Sequence, residues 1–385
     1  MTSLAITGAR IFDGDAWHDD HALIIDGGQV TGIVPMRGVA PGQATRKAGG
    51  AMIVPGFLDL QVNGGGGVMF DGECGVEGLS TICRAHAKFG TAGLLPTLIT
   101  DTREATAKAI AAGIEAARSR MPGFLGLHLE GPHLSLARKG AHDPSLIRPM
   151  EADDLGALIE ARRHLPVLMV TLAPESVTQE QVRALAEAGV CVSLGHTDTG
   201  CRTALAYAKA GARLVTHLFN AMSPLGHREP GLVGAALESG TLWTGLIADG
   251  IHVDPVAMRA ALKAKTGPAR IFAVTDAMST IGTDMKSFTL NGRTIERRDG
   301  RLTLADGTLA GADIDMASTV ANLHRQVGLP LEEALRMASL YPAQAVKLEK
   351  TKGRLGAGMD ADFVELTEEL SVAVTWISGN VVHTA

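Results

Sequence analysis

The sequence predicts an α/β chain: a (β/α)8 TIM-like barrel inserted in a small β-sandwich-like domain that both chain ends build. Three observations carry this. Eight short apolar runs alternate with helix signals through the middle of the chain, at one unit per roughly 30 residues, the spacing of such a barrel. Both ends instead carry β-branched runs broken by Gly-containing turns. Neither end holds enough strands for a sheet of its own, because isolated hairpins are marginal, so the economical solution pairs the two ends. An open doubly wound sheet has the same local grammar, but no GxGxxG follows the first run and the count reaches eight.

At the N-terminus, LAITGARIF and HALIIDGGQVTGIVP read as strands, with Asp26-Gly27-Gly28 as a hairpin signal. The eight runs follow as FLDLQV (57–62), LLPTLI (94–99), FLGLHLE (124–130), PVLMVTLA (166–173), GVCVSLGH (189–196), ARLVTHL (212–218), LWTGLIADG (242–250) and RIFAVTDA (270–277). Helix signals lie between most of them. Asp101 with Glu104 reads as a capping box, as does Thr178 with Gln181, and Gly189 reads as a C-terminal stop. Asp254-Pro255 supplies an N-cap and a first-turn proline. After the eighth run, Asn291-Gly292, Asp299-Gly300 and Asp306-Gly307 predict a β meander at about 286–312, on the barrel rim. Helices are expected near 313–327 and 331–346. ADFVEL and SVAVTWISGNVV close the chain as strands, with Gly379-Asn380 as a turn. The expected domains are thus 1–55 with 350–385 around a barrel at 56–349.

Composition narrows the function classes. With 46% hydrophobic and 20% charged residues in 385, a large core is expected and global disorder is excluded. The net charge of −6, without clusters of Lys and Arg, argues against a nucleic-acid groove. The four cysteines show no CxxC spacing and read as reduced thiols of a cytoplasmic protein. The N-terminus lacks the basic and apolar regions of a secretory signal. No apolar run reaches the roughly 18 residues of a membrane span.

In a (β/α)8 barrel, functional side chains stand at the carboxyl ends of strands. Six of the runs end in groups suited to metal binding or proton transfer: Asp59-Leu-Gln61-Val-Asn63, His128-Leu-Glu130, His196-Thr-Asp198, Thr216-His217-Leu-Phe-Asn220, Asp249-Gly-Ile-His252 and Thr275-Asp276. One polar ending is ordinary, and a strand histidine is more often a hydrogen-bonded core residue than a ligand. Six in chain order are hard to explain by packing. Glu130, His196 and His217 offer one carboxylate and two imidazoles, a three-ligand set that leaves a position open at zinc. Iron, manganese or cobalt would suit the same N/O donors. Asp276 stands apart as a candidate general acid/base, with a helix N-cap as the alternative.

PGFLDLQVNGGGG, LHLEGPHLSLARKGAHDP, SLGHTDTG, THLFNAMSPLGHREPGLVG, DGIHVDP and VTDAM, in this order, resemble the N-acetylglucosamine-6-phosphate deacetylase family of the amidohydrolase superfamily. The resemblance covers nearly the whole chain, including RMASLYPAQAV. It implies metal-dependent hydrolysis of the N-acetyl group of N-acetylglucosamine 6-phosphate to glucosamine 6-phosphate and acetate. It implies Glu130, His196 and His217 as ligands of one divalent metal per subunit, zinc before iron, manganese or cobalt. Asp276 would deprotonate a water at the metal and then protonate the leaving amine. His142, Asn220, Ala221 and His252 would contact substrate, and Arg228 would reach the phosphate in a neighbouring subunit's site, which implies a homodimer. Many amidohydrolases carry His-x-His after the first strand and bind two metals. Here Gln61 and Asn63 take those places, so a second metal site is expected to be weak or to leave them merely metal-adjacent.

Other residues carry blander readings. His128 is either support for the site or core packing. His133 and His227 read as bystanders, Asp59 as an orienting group, and Cys191 and Cys201 as thiols that pack. Gly64–Gly67 reads as a tight turn at the barrel mouth, since no Lys-Ser/Thr follows it. Met278 and the 306–311 turn are candidates for the acetyl pocket. Rival functions are deacetylation of the galacto epimer, cyclic-amide hydrolysis, and a non-catalytic scaffold; the retained ligands and acid/base argue against the last.

Overall fold

The computed structural model describes residues 3–385. Eight parallel strands form the middle of the chain: β1 (Phe57–Val62), β2 (Thr91–Ile99), β3 (Gly126–Glu130), β4 (Val167–Leu172), β5 (Cys191–Leu194), β6 (Leu214–Val215), β7 (Trp243–Ile247) and β8 (Ile271–Val274). Each pairs with the next in sequence. Between β8 and β1 an isolated parallel bridge joins Val62 to Ala277, and Asp276 N donates to Gln61 O at 2.9 Å. The sheet therefore closes into a barrel, as expected, and not into an open doubly wound sheet. Strands covered on both faces favour apolar side chains, and every residue of β1, β3 and β4 is buried, including the polar Asp59, Gln61, His128, Glu130 and Thr171.

Helices α1 (Gly75–Ala87), α2 (Arg103–Arg118), α3 (Ala152–His164), α4 (Gln179–Glu187), α5 (Cys201–Ala210), α6 (Gly231–Glu238) and α7 (Pro255–Ala264) follow the first seven strands. Thr178 and Gln181 form the expected capping box, and Gly189, at φ +86°, follows the end of α4. Asp254 caps α7 by accepting from Val256 N. At α2 the expectation needs correcting. Thr102 is the cap, accepting from Ala105 N at 3.1 Å, whereas Asp101 accepts from Thr102 N, too early in the chain to cap. Glu104 pairs with Lys108 instead of closing a box.

The meander forms as four antiparallel strands, Ser287–Leu290, Arg293–Arg298, Arg301–Thr303 and Leu309–Ala312. Asn291-Gly292 and Asp299-Gly300 turn with both residues at positive φ, as two-residue hairpins demand. Its last strand returns to the barrel mouth, where Ala312 N donates to Asp276 O at 2.9 Å. Helices α8 (Met316–Arg325), α9 (Leu331–Ala338) and α10 (Leu340–Ala345) follow. The single helix expected at 331–346 is broken at Ser339, because Pro342 lacks the N–H that would bond Ala338 O.

The two chain ends share a sheet. Its six strands run Asn380–Thr384, Val372–Ile377, Phe363–Leu366, Met52–Pro55, Arg10–Phe12 and Trp17–His18, with 363–366 antiparallel to 52–55. A second sheet holds Gln29–Pro35, His21–Asp26, Leu4–Thr7 and Ala44–Lys47. Ile6, Ile11, Leu23, Ile53, Phe363 and Trp376 form the core between them. The final hairpin turns at Ser378-Gly379, one residue before the expected place, and Asn380 opens the last strand. Among the described residues no helix is long and apolar enough to cross a membrane.

Candidate active site

The carboxyl ends of the barrel strands surround a cavity of about 410 Å³, lined by Asn63, Glu130, His142, His196, His217, Asn220, Ala221, His252 and Asp276 among others. Residues far apart in the chain meet there because each follows a strand. The backbone turns sharply at these points: His196, His217, Ala221 and Asp276 all have positive φ. Such conformations cost on the order of 1–3 kcal/mol each and persist only where surrounding structure imposes them. A larger open cleft of about 1030 Å³, beside α8 and the N-terminal strands, contains none of these side chains.

Glu130, His196 and His217 converge. Glu130 Oε1 stands 3.3 Å from His196 Nε2 and 3.2 Å from His217 Nε2, and the two nitrogens are 3.1 Å apart. A tetrahedral ion with bonds of about 2.0–2.1 Å separates its ligand atoms by about 3.3–3.4 Å. The three donors are thus spaced nearly as one face of such a tetrahedron, and all three residues line the cavity. His196 Nδ1 donates to Arg138 O at 2.9 Å, which leaves the Nε2 lone pair for an ion. Burial pushes the Glu130 carboxyl up, but the two imidazoles that face it outweigh burial and hold it well below the usual range. Burial pulls His217 down, yet the bond to Glu130 outweighs it and His217 is raised. Both shifts describe a site that favours positive charge. The donor set fits a divalent ion such as zinc, iron, manganese or cobalt.

His142 is adjacent. Ligand atoms of Glu130, His142 and His196 all lie within 4.8 Å of one another. However, His142 Nε2 is 3.8 Å from the other carboxylate oxygen of Glu130, and its Nδ1 accepts from Thr100 N while contacting Thr100 Oγ1 at 2.8 Å. The ring therefore carries its proton on Nε2. Burial pushes its pKa down to about 3, so it stays neutral and presents a hydrogen-bond donor to the cavity.

Gln61 and Asn63 turn their N–H groups toward carboxylates. Gln61 Nε2 donates to Glu130 Oε1 (3.0 Å) and to Asp276 Oδ1 (3.1 Å), and Asn63 Nδ2 donates to Asp276 Oδ1 (2.7 Å). In this arrangement their N–H groups make them neighbours of the ion site, while Asn63 Oδ1 is buried without a hydrogen-bond partner. Burial, then the charge of Glu130, raises the Asp276 carboxyl to about 6.

His252 is oriented by Asp249, which takes its Nδ1 at 2.6 Å and the Ile251 and His252 N–H groups besides. Asn220 and Ala221 line the same cavity. Arg228 is not brought in: it is exposed and outside the cavity lining of its own chain. His128 lies in a buried layer of hydroxyls, with Nε2 2.7 Å from Thr171 Oγ1, which contacts Thr216 Oγ1 at 2.7 Å. Burial pulls its pKa down to about 4, so it is a neutral core histidine. His133 bonds Arg148 O away from the cavity, and His227 is exposed. Cys191 is buried, Cys201 is half-buried, and all four thiols are free.

Several partners were not read from sequence: the Arg138 carbonyl on His196, Thr100 on His142, and Asp249 on His252. Only Asp249 left a signal, an acid three residues before a strand-end histidine. Met278, Leu290, Leu309 and Ala310 give the cavity its apolar wall, so the meander does reach the site.

A model of the Amidohydrolase family matches residues 52–382, and one of the NagA composite domain matches 4–53. The N-acetylgalactosamine-6-phosphate deacetylase of Shewanella sp. (strain ANA-3) is 42% identical over 336 residues, 86% of this chain and 84% of that protein. The N-acetylglucosamine-6-phosphate deacetylase of Bos taurus is 40% identical over 349 residues, 88% of this chain and 85% of that protein. The crystal structure of N-acetylglucosamine-6-phosphate deacetylase from Pasteurella multocida superposes with a TM-score of 0.95 at 34% identity, covering 100% of both chains.

Proposed function

This chain belongs to the amidohydrolase family, and from that premise we propose that it hydrolyses the N-acetyl group of N-acetylglucosamine 6-phosphate to glucosamine 6-phosphate and acetate. The convergence of Glu130, His196 and His217 beside a raised Asp276, in a cavity that also holds His142 and His252, carries the reading. Relatives and a solved structure named for this activity support it.

A divalent ion held by Glu130, His196 and His217, zinc before iron, manganese or cobalt, would polarise the amide carbonyl and acidify water. Asp276 takes the proton of the attacking water on its carboxylate and returns it to the leaving amine. A pKa near neutrality suits a group that must serve as base and then as acid. Gln61 and Asn63 hold Asp276 from one side, so its other oxygen faces the cavity. His142 Nε2–H donates to the carbonyl oxygen as negative charge builds there. His252, Asn220 and Ala221 hold the phosphorylated sugar, so binding energy remote from the amide orients it. Arg228, exposed on its own chain, grips the phosphate in a partner copy's site, and the protein acts as a homodimer. Four free thiols accord with a cytoplasmic location.

The test is acetate release from N-acetylglucosamine 6-phosphate, with the unphosphorylated sugar and the galacto epimer run beside it and metal measured on the same preparation. Selective turnover of the phosphorylated gluco sugar with one metal per chain is expected. No turnover of either epimer by metal-loaded protein would reject the reading. A second reading, preference for N-acetylgalactosamine 6-phosphate, is favoured by the Shewanella relative at 42% identity; the same panel decides it by the ratio of kcat/KM.

A further inference from the structure

Asp59 is a fully buried carboxylate inside the barrel, two residues before Gln61. Its Oδ2 accepts from Thr275 Oγ1, and its Oδ1 accepts from Thr275 N and from Gln61 N, both at 3.2 Å. Thr275 Oγ1 in turn accepts from Ala277 N at 3.2 Å. Asp276 sits between these two residues at φ +54°, where the chain leaves β8. The same carboxylate thus anchors both halves of the barrel's closing seam. On one side it fixes the 275–277 turn that carries Asp276. On the other it fixes Gln61, whose side chain donates to Asp276 Oδ1. Backbone pairing across this seam is short: β1 and β8 share no regular ladder, and the seam is crossed by the Val62–Ala277 bridge and by bonds from Asp276 N to Gln61 O and from Asn63 N and Gly64 N to Ala277 O.

We propose that Asp59 and Thr275 are positioning residues for the catalytic step: the Thr275 hydroxyl, oriented by the Asp59 carboxylate, sets the turn that aims Asp276 at the reacting groups. This rests on the reading of Asp276 as the acid/base. A seam needing only stability would be closed as well by apolar side chains, since a buried carboxylate is costly even when bonded. Burial does push Asp59 up, to about 7, against its three donors. What three converging hydrogen bonds add is direction.

The test compares Thr275→Val, which keeps shape and removes the hydroxyl, with Thr275→Ser, which restores it. Asp59→Asn repeats the perturbation from the other partner, and Asp276→Asn is the reference. Thr275→Val should lower kcat by about 10–100-fold, the scale of misaligning a catalytic group by about 1 Å. KM should stay within about twofold, since the sugar contacts lie elsewhere. Metal content should be unchanged, and the acid limb of the kcat–pH profile should move. Thr275→Ser should recover kcat to within about threefold of the parent. If Thr275→Val does not fold, Asp59→Asn must show the same kcat loss at retained KM and metal content. The proposal is overturned if the hydroxyl-free variant keeps the parent kcat and pH profile, or if Thr275→Ser is as slow as Thr275→Val. Near-normal turnover by Asp276→Asn would instead sink the acid/base reading itself. An inactive Asp276→Asn beside a normal Thr275→Val would sink only the positioning role.

Discussion

Asp276→Asn should remove activity and stabilise the metal-free protein. Asp276 Oδ1 accepts from both Asn63 and Gln61, and an amide oxygen placed there keeps both bonds. What the substitution removes is a carboxylate whose pKa burial and the Glu130 charge raise from 3.8 to about 6. A raised carboxyl pKa favours the protonated folded form. Its cost is therefore absent below about pH 4, grows between about pH 4 and 6, and is complete above that range. Two units at about 1.4 kcal/mol each set an upper bound of about 3 kcal/mol, reduced by the opening of the carboxyl to cavity water. Unfolding entropy of about 2.1 cal/mol/K per residue, over 385 residues, converts this to a rise of up to about 4 °C in Tm. Thermal unfolding of chelator-treated parent and variant at pH 8 and pH 5 measures it, with about half the gain expected at pH 5. Acetate release should fall by about 10²–10⁴-fold. A variant no more stable than its parent at pH 8, or a gain independent of pH, would refute the desolvated-carboxylate argument.

Three further outcomes are expected. Chelation should abolish turnover and one equivalent of divalent metal restore it, while His217→Ala should fail to hold metal by elemental analysis. Arg228→Ala should chiefly raise KM for the phosphorylated sugar, and mixing it with Asp276→Asn subunits should recover activity; no recovery after verified exchange would count against a shared site. Gly311→Ala should lower both Tm and kcat, because Gly311 has φ +69° and a Cβ would lie 2.5 Å from Met278 Cγ and 3.0 Å from Asp276 O. The backbone part alone costs about 1–2 kcal/mol, and wild-type kinetics would show that the meander is free of the acid/base loop.

The barrel was legible because strands buried on both faces are mostly apolar, which makes eight runs visible. Glu130, His196, His217 and Asp276 stood out because chemistry at a barrel's strand ends interrupts those runs at their last residues. Local hydrogen bonding was harder to place: Asp101 and Thr102 are both competent caps by residue type, and Thr102 is the one that takes Ala105 N. The break at Ser339 has a signal in Pro342, but the apolar pattern continues through it and masks the break. The groups that orient the histidines were not legible at all. The carbonyl of Arg138 carries no side-chain signal, and Thr100 meets His142 only because β2 ends beside the loop after β3.

The shared sheet also has a meaning in time. Met52–Pro55 leaves the ribosome roughly 300 residues before its partner Phe363–Leu366, a wait of about 15–60 s at ordinary synthesis rates. Throughout that wait the barrel is being made while an apolar strand edge stands open to other chains. The strand Phe363–Leu366 thus covers the Met52–Pro55 edge late in synthesis. A chain ending at residue 362 should therefore aggregate even though every barrel strand is present, and a soluble, monodisperse truncation would show that the edge is covered by other means.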